Sequence, residues 1–303
     1  MKIAVTGASG FIGTELLGEL EKSKGIVVTA ITRGGSARAD SPFCTWKDTD
    51  WSAGSLTEAL DGAEAVIHLA GVRGTTSDPA DYAVNMEMTQ NLLEAMTKAG
   101  TKRIVFASTI SVYDDEDEIP WEEDGSLKGR TMYGESKISC ERLIQEYAGK
   151  YRFTYGIVRI AQVLGEGEKH RGMMNVFIDT AASGGALKVI GKSEAKRQYL
   201  YVKDLTKILT VLAAGSDIVD AGKDIIVNAG MPEAYTNLEI AKIVNKVYCN
   251  ETPIDYDDSS PETIRPSNMD ISRLKKLGFM PLDMEEALRE MKTNSGITGT
   301  TEQ

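Results

Sequence analysis

Residues 1–22 constrain the fold more strongly than any other part of the chain. A short β-branched run, Ile3–Thr6, leads directly into Thr6-Gly7-Ala8-Ser9-Gly10-Phe11-Ile12-Gly13, and apolar residues then recur at helical spacing through Phe11–Lys22. This pattern predicts a buried strand, a tight turn and a helix. Glycines at such a turn let the backbone approach a pyrophosphate, and the helix N-terminus supplies amide donors. We therefore predict a dinucleotide-binding turn, although the spacing is G-x-x-G-x-x-G rather than G-x-G-x-x-G.

The same alternation of strand and helix continues through the first half of the chain. Further buried strands are predicted at Val27–Ile31, Ala65–Leu69, Arg103–Ala107 and Tyr155–Arg159, with helices at Asp81–Lys98 and Met132–Lys150. Strands that alternate with helices form a parallel sheet that is covered on both faces. The prediction is an α/β fold, a Rossmann-type doubly wound parallel sheet that binds ligands beyond the carboxyl ends of its strands.

The predicted strands and helices become shorter after Arg159. They lie at Asn175–Ser183, Leu187–Ile190, Leu205–Ala214, Ile225–Ala229 and Leu238–Val247. We expect them to form a smaller mixed α/β substrate domain. The predicted division is 1–164 for an NAD(P)-binding Rossmann domain, with a return segment near 204–229, and 165–293 mainly for substrate binding. Residues 294–303 are polar and are expected to form a flexible tail.

Composition excludes several classes of function. The formal net charge of −11 disfavours nucleic acid or an anionic membrane as a partner. Two histidines, His68 and His170, are too few for a multi-histidine metal site, and they make a Ser-His-Asp hydrolase implausible. The three cysteines, Cys44, Cys140 and Cys249, are widely spaced in no metal-ligand pattern, which is typical of a reducing cytoplasm. We expect a soluble cytoplasmic protein with no metal site, signal peptide or membrane span.

Two further segments carry groups that could perform chemistry. Tyr133 and Lys137 are four residues apart in a predicted helix, so they share one face. An ammonium beside a phenol stabilises the phenolate, which makes Tyr133 a candidate general acid or base. The strand that ends at Ala107 is followed directly by the hydroxyls of Ser108 and Thr109, at the edge where a cofactor is expected.

These motifs occur together and in a characteristic order. In sequence they are Thr6–Gly13, His68–Gly71, Asn85 with Thr89–Leu93, Ser108–Tyr113, Tyr133–Lys137, Arg197–Leu205, Asn228–Gly230, Asp270–Ser272 and Leu277–Pro281. The combination resembles the extended short-chain dehydrogenase/reductases, specifically the NAD-dependent epimerase/dehydratase enzymes of nucleotide sugars. An ordered set that spans most of the chain is far more specific than any single motif.

The resemblance implies a role for each matching residue. Thr109, Tyr133 and Lys137 would be catalytic, with Ser108 and Ser111 close enough to Thr109 to compete for its role. The substrate would be held by Ser111, Gln162, Arg197 and Arg265, with the arginines on its diphosphate; for Arg265 the alternative is a surface salt bridge. The cofactor would be held by Gly7, Ser9, Gly10, Phe11, Ile12, Gly13, Arg33, Leu69, Ala70, Gly71, Asn85, Ser108, Tyr133 and Lys137.

Departures from the family pattern narrow the function. The second strand ends in Thr32-Arg33, where NAD enzymes of this family carry an aspartate; an arginine pairs with a 2′-phosphate and no carboxylate repels it, so NADP is favoured over NAD. Ile110-Ser111 stands where sugar 4,6-dehydratases carry Asp-Glu, which argues against dehydration. Gln162 replaces an asparagine and Tyr201 replaces a histidine, so the identity of the sugar stays open.

The leading interpretation is a nucleotide-sugar 4-epimerase that acts by transient hydride transfer. Arg33 favours the first alternative, an NADPH-dependent reductase of nucleotide 4-keto-sugars. A second alternative is a non-catalytic NADP-binding regulatory protein, and the complete Thr109/Tyr133/Lys137 set argues against it. The resemblance also implies a homodimer formed through the helices that contain Asp81–Lys98 and Met132–Lys150.

Overall fold

The computed structural model describes residues 1–34, 38–73, 78–168, 172–216, 219–261 and 263–294. The strands are β1 (Lys2–Thr6), β2 (Val27–Thr32), β3 (Cys44–Asp48), β4 (Ala65–His68), β5 (Arg103–Ala107), β6 (Thr154–Ile160), β7 (Gln162–Leu164), β8 (Lys188–Ile190), β9 (Arg197–Tyr201), β10 (Ile225–Ala229), β11 (Ala234–Tyr235) and β12 (Asp255–Asp257). The α-helices are α1 (Phe11–Lys22), α2 (Ala53–Ala59), α3 (Pro79–Ala99), α4 (Met132–Tyr151), α5 (Met173–Ala182), α6 (Val202–Ala214), α7 (Asn237–Tyr248), α8 (Ser272–Lys276) and α9 (Met284–Asn294).

Seven parallel strands form the main sheet, in the order β10-β6-β5-β4-β1-β2-β3. From β1 the chain adds β2 and β3 on one side, then crosses to add β4, β5, β6 and β10 on the other. This arrangement confirms the predicted doubly wound α/β fold. The strand order reverses between β1 and β4, and ligands bind such sheets beyond the carboxyl ends at this switch point.

Residues of β1 alternate between two hydrophobic cores. Ile3 and Val5 are fully buried in a cluster that includes residues of α1 and α6. Ala4, between them, is fully buried in a second cluster with residues of α2, α3 and α4. Because successive side chains of a strand point to opposite faces, helices cover the sheet on both sides. Both faces are therefore apolar, which explains the continuous hydrophobic runs in the sequence.

A smaller mixed region follows β6. It contains a three-stranded sheet, β11-β9-β7, and a two-stranded sheet, β12-β8. Buried residues of α5, α7 and α9 form its hydrophobic core, and Phe11 and Ile12 of α1 pack against that core. The two regions therefore meet at the start of α1, directly beside the glycine-rich turn. The predicted boundary between 164 and 165 stays a prediction.

Two elements of the first region were not predicted, β3 and α2. In β3 only Cys44 is buried, because this edge strand has a single neighbour, so it lacks an apolar run. Helix α2 has only 7 residues, too few to show a helical period, and it begins where Ser52 accepts a hydrogen bond from the Ser55 amide.

Of the predicted tail, Asn294 is the last residue of α9, and 295–303 lie outside the described residues. Within the described ranges, no helix is long and apolar enough to cross a membrane.

Candidate active site

A cavity of about 820 Å³ lies at the carboxyl edge of the main sheet, close to the switch point. The segments that follow β1, β4, β5 and β6 form one wall, together with the start of α4. The facing wall comes from the smaller region and includes Arg197 and Thr263–Arg265. A volume of this size falls in the range of small-molecule and cofactor sites.

The glycine-rich turn packs too tightly to accept side chains at two positions. Gly7 has φ +69°, and a Cβ there would lie 2.8 Å from the Ala70 nitrogen. A Cβ on Gly13 would lie 2.4 Å from the Gly7 carbonyl oxygen. These contacts bring the start of α1 against the end of β1 and the loop after β4, at the edge of the cavity.

The N-terminus of α1 is suited to an anion. Gly10 is its N-cap residue and provides no side-chain hydrogen bond to the first turn. The first backbone N–H groups of a helix have no intrahelical acceptor, and they carry the positive end of the helix dipole. Residues of the glycine-rich turn and of the first turn of α1 line the cavity: Gly7, Ser9, Gly10, Phe11, Ile12 and Gly13. The turn therefore fits the pyrophosphate of a dinucleotide.

The other predicted cofactor residues divide into two groups. Leu69 and Gly71 line the cavity, whereas Ala70 and Asn85 do not. The Ala70 amide donates to Thr6 Oγ1 at 3.3 Å. Asn85 is buried, and its side chain bonds both the amide and the carbonyl of Val72, at 2.7 and 3.1 Å. Asn85 therefore holds the loop after β4 from behind the cavity wall.

The end of β2 differs from what the sequence predicted. Arg33 is exposed, forms no ion pair with any described residue and is absent from the cavity wall. Thr32 Oγ1, immediately before it, donates to Asp48 Oδ1 at 2.7 Å. The carboxylate of Asp48, at the end of β3, thus stands beside the end of β2. The expectation that no carboxylate lies there is wrong, because the adjacent edge strand was not recognised in the sequence.

The start of α4 positions Tyr133 and Lys137. Thr131 Oγ1 accepts from the Gly134 amide at 3.2 Å, which caps the helix. Lys137 is buried, and its Nζ donates to the Ala107 carbonyl at 2.8 Å. The same Nζ lies 5.8 Å from the centroid of the Tyr133 ring. A buried ammonium therefore stands beside the phenol at the cavity wall.

The hydroxyls after β5 are not equivalent. Thr109 Oγ1 accepts from the Ser111 amide at 3.2 Å, so its own proton remains available for an acceptor in the cavity that it lines. The Ser108 hydroxyl, although Ser108 also lines the cavity, forms a hydrogen bond to the buried carboxylate of Glu141. Because a carboxylate only accepts, Ser108 donates its proton there. Ser111 also lines the cavity.

The cavity is locally basic although the chain carries a net charge of −11. The described residues that line it include a single acid, Glu168, and five cations: Arg73, Arg130, Lys137, Arg197 and Arg265. Arg73 and Arg130 were not identified from the sequence. Arg130 precedes Tyr133 by three residues, and that proximity was the one signal that could have identified it.

The two predicted diphosphate ligands have different surroundings. Arg197 Nη2 donates to Asn237 Oδ1 at 2.8 Å, while its Nε is buried without a partner among the described residues. Arg265 pairs with Asp114 at 2.7 Å and with Glu116 at 2.6 Å, and its side chain is 50% exposed. Arg265 therefore lines the cavity and also forms the surface salt bridges that were its alternative role.

His68 at the end of β4 supports the site without lining it. Its Nδ1 lies 2.7 Å from Thr6 Oγ1, and its Nε2 lies 3.4 Å from Thr89 Oγ1. Burial, followed by the positive charge of Lys137, lowers the pKa of His68 to about 3. The imidazole is therefore neutral at physiological pH, and it packs behind the catalytic candidates.

Comparisons with known proteins identify the family. Residues 3–230 match the family described as the NAD dependent epimerase/dehydratase family. The UDP-glucose 4-epimerase of Bacillus subtilis is 29% identical over 329 residues, covering 97% of this chain and 96% of its own.

Two of the similar solved structures each cover 97% of this chain. The UDP-N-acetylglucosamine 4-epimerase of Bacillus cereus is 30% identical, with a TM-score of 0.87 over 97% of this chain and 99% of its own. MoeE5, solved in complex with UDP-glucuronic acid and NAD, is 27% identical, with a TM-score of 0.80 over 97% of this chain and 100% of its own. The chain belongs to the NAD-dependent epimerase/dehydratase family.

Proposed function

We propose that this protein is a nucleotide-sugar 4-epimerase that acts on a UDP-hexose. One observation carries the proposal: Thr109, Tyr133 and Lys137 line the same cavity as the uncapped N-terminus of α1 and a wall rich in arginine. The names of the Bacillus relatives support UDP as the nucleotide and C4 as the reacting carbon.

In this mechanism the chain's own residues bind the substrate and move a proton. A nicotinamide cofactor held at the α1 turn would supply the hydride acceptor for C4 of the sugar and, once the keto-sugar has rotated, the hydride donor to its opposite face. Tyr133 takes the proton of the 4-hydroxyl and later gives it back. The Lys137 ammonium offsets the negative charge on the phenolate, and the Thr109 hydroxyl donates a hydrogen bond to the sugar oxygen.

Arg197 is the proposed ligand of the substrate diphosphate. Arg197 lines the wall that faces the sheet. Its hydrogen-bond partner Asn237 is neutral, so this contact does not neutralise the positive charge of Arg197. Guanidinium groups bind phosphate oxygens through charge-assisted hydrogen bonds. Ser111 and Gln162 line the same cavity and are proposed to contact the sugar.

We propose that the protein prefers NADP over NAD. Arg33 would favour the 2′-phosphate of NADP, and the negative charge of Asp48 would make this preference smaller. Arg33 has no competing ion pair among the described residues, whereas the NAD held by MoeE5 and the Asp48 carboxylate support NAD. Arg33→Ala should weaken NADP binding by about 1–3 kcal/mol and leave NAD binding unchanged. Asp48→Asn should strengthen NADP binding. Equal affinity for both cofactors, with no effect of Arg33→Ala, would remove the proposal.

Arg33 also favours a second candidate, an NADPH-dependent reductase of nucleotide 4-keto-sugars. The two activities differ in what happens to the cofactor, because an epimerase recycles it within one active site and a reductase exchanges it every turn. Denaturing the purified protein and identifying the released nucleotide separates them. Cofactor retained through purification supports the epimerase, and protein purified free of nucleotide supports the reductase.

We further propose a cytoplasmic homodimer. Helices α3 and α4 pack side by side on one face of the sheet, and this pair is the proposed dimer surface. The free cysteines Cys44, Cys140 and Cys249 are compatible with a reducing compartment. Sedimentation equilibrium of the purified protein would give twice the chain mass for a dimer, and the single-chain mass would contradict it.

A further inference from the structure

A buried ion pair lies next to the proposed catalytic residues. Arg159 Nη2 and Glu141 Oε2 are 2.8 Å apart, and both side chains are 2% exposed. Glu141 follows Lys137 by four residues and Tyr133 by eight, so the three share one face of α4. Desolvating two charges is costly and is offset only where their remaining hydrogen-bonding groups are satisfied. The groups that satisfy this pair therefore indicate what it does.

The pair holds both ends of the turn that carries Thr109. At the first end, the Ser108 hydroxyl donates to Glu141 Oε1. At the other end, Arg159 Nη1 donates to the Tyr113 hydroxyl at 2.8 Å. Ser108 and Tyr113 are both buried.

A second chain of contacts anchors the far end of this network. The Tyr113 hydroxyl donates to Asn228 Oδ1 at 2.8 Å, and Asn228 Nδ2 donates to the Trp121 carbonyl at 2.9 Å. Arg159 Nη1 also donates to the Glu123 carbonyl at 2.8 Å. The ion pair thus connects the turn after β5 to β6, β10 and the loop that precedes α4.

The same helix that carries Tyr133 is joined to the turn by two more contacts. Lys137 Nζ bonds the Ala107 carbonyl at 2.8 Å, one residue before Ser108. A Cβ on Gly134 would lie 2.0 Å from the Ser111 carbonyl oxygen, so the helix backbone touches the turn directly. The position of Thr109 relative to Tyr133 is therefore set by contacts on both sides of Thr109.

We propose that Glu141 and Arg159 are positioning residues, which act through Ser108 and Tyr113 to hold the Thr109 hydroxyl in place for proton transfer by Tyr133. The inference rests on the proposed function. It assigns Ser108 to the support of the turn, because its proton is donated to Glu141, and it leaves Thr109 as the hydroxyl that meets the substrate.

The test compares Ser108→Ala, Thr109→Val and the double variant in steady-state kinetics with a UDP-hexose. Ser108→Ala keeps the ion pair and should lower kcat by about 10- to 100-fold, as expected for a misplaced catalytic group. KM for the nucleotide sugar and the affinity for the cofactor should change by less than about twofold. In the Thr109→Val background, Ser108→Ala should have no further effect, because no hydroxyl is left to position.

Thr206→Val is the matched control. It removes another buried hydroxyl, which donates to the Lys203 carbonyl at 2.9 Å within α6, and it should leave kcat unchanged. Tyr113→Phe tests the other end of the turn and should lower kcat in the same way. Glu141→Gln leaves the buried charge of Arg159 without its charged partner, which is strongly destabilising. If that variant does not fold, Ser108→Ala still tests the proposal.

Three results would overturn the proposal. Unchanged kcat in Ser108→Ala is one, and a raised sugar KM at constant kcat is another, since Ser108 would then bind substrate. The third is a kcat of the Ser108→Ala/Thr109→Val double variant that is lowered by the product of the two single effects. Amide hydrogen exchange across 108–113 needs no substrate: it should accelerate in Ser108→Ala, and unchanged exchange would contradict the proposal even if the wild-type protein turned over no UDP-hexose.

Discussion

The two walls of the cavity are built in different ways. The wall proposed for the cofactor comes from short segments at the ends of adjacent parallel strands, and its anion-binding groups are backbone amides of α1. The facing wall, proposed for the substrate, uses arginine side chains whose partners lie far away in the sequence. Arg265, for example, bonds Asp114 across 151 positions. A wall made of backbone amides can be predicted from local sequence. For a wall made of arginine side chains, tertiary contacts decide which arginines remain free to bind a phosphate.

Tyr133 lines the wall formed by the strand ends and the start of α4, and its substitution should have the largest effect. Tyr133→Phe removes the proposed acid/base and keeps the ring, so kcat should fall by about 10²- to 10⁴-fold. Cofactor affinity, measured by fluorescence titration, should stay close to the wild-type value. Near-normal turnover of a UDP-hexose by this variant would contradict the mechanism.

On the cofactor wall, Gly13→Ala should affect both stability and binding. The new methyl would lie 2.4 Å from the Gly7 carbonyl oxygen and 2.7 Å from Ala8 Cα, both of them backbone atoms. We expect a loss of about 1–3 kcal/mol of unfolding free energy, the usual cost of overpacking, together with loss of cofactor binding.

Gly18→Ala is the control in the same helix. Gly18 is exposed, and a Cβ there would meet nothing within 4 Å. This substitution should stabilise the protein by about 0.5–1 kcal/mol, because alanine is the better helix former. Equal destabilisation by both substitutions would show that the tight turn is not the cause.

Buried His68, behind the cofactor wall, should make stability depend on pH. Burial and then Lys137 lower its pKa to about 3 in the folded chain, from 6.5 in the reference state. The unfolded chain takes up a proton below about pH 6.5 and the folded chain does not, so stability falls as the pH falls towards 3. Between pH 7 and pH 5 this residue should remove about 2 kcal/mol of unfolding free energy.

Denaturant unfolding of His68→Gln at both pH values measures this contribution. Glutamine keeps hydrogen-bonding groups but does not titrate, so the difference between pH 7 and pH 5 should shrink by the amount attributed to His68. If the variant lost as much stability between these pH values as the wild-type protein, the assignment to His68 would be wrong.

On the substrate wall, the two arginines should differ. Arg197→Ala should raise KM for a UDP-hexose by about tenfold, the usual worth of one charge-assisted hydrogen bond. Arg265→Ala should raise it by less than about threefold, because Asp114 and Glu116 already compensate its charge and solvent screens it. Cofactor affinity should be unchanged in both. A larger effect at Arg265 would mean that the substrate displaces its acidic partners.

The parts of the fold that the sequence predicted are those with a continuous local signal. Strand β5 is buried on both faces and its residues Ile104–Ala107 form an unbroken apolar run, and α1 follows its turn directly. β3 and α2 gave no such signal, because one is a half-exposed edge strand and the other is a helix of 7 residues.

The same reasoning explains what was missed at the site. Asp48 was overlooked along with the strand that carries it, and it reaches the end of β2 only through strand pairing. Whether Ser108 or Thr109 had a free proton depended on Glu141, which lies 33 positions away from Ser108. Hydrogen-bond partners of this kind are fixed by packing, so motif spacing could not distinguish the two hydroxyls.

In the proposed mechanism hydride transfer is transient and no cofactor is consumed. The most direct test is to incubate the protein with UDP-glucose, UDP-N-acetylglucosamine or UDP-glucuronic acid and follow the sugar by NMR and the nicotinamide by absorbance at 340 nm. We expect conversion of one of these sugars to its C4 epimer, with no net change in reduced cofactor. If none of the three gave an epimer, while reduced cofactor was oxidised in step with an added UDP-4-keto-hexose, transient hydride transfer would be contradicted.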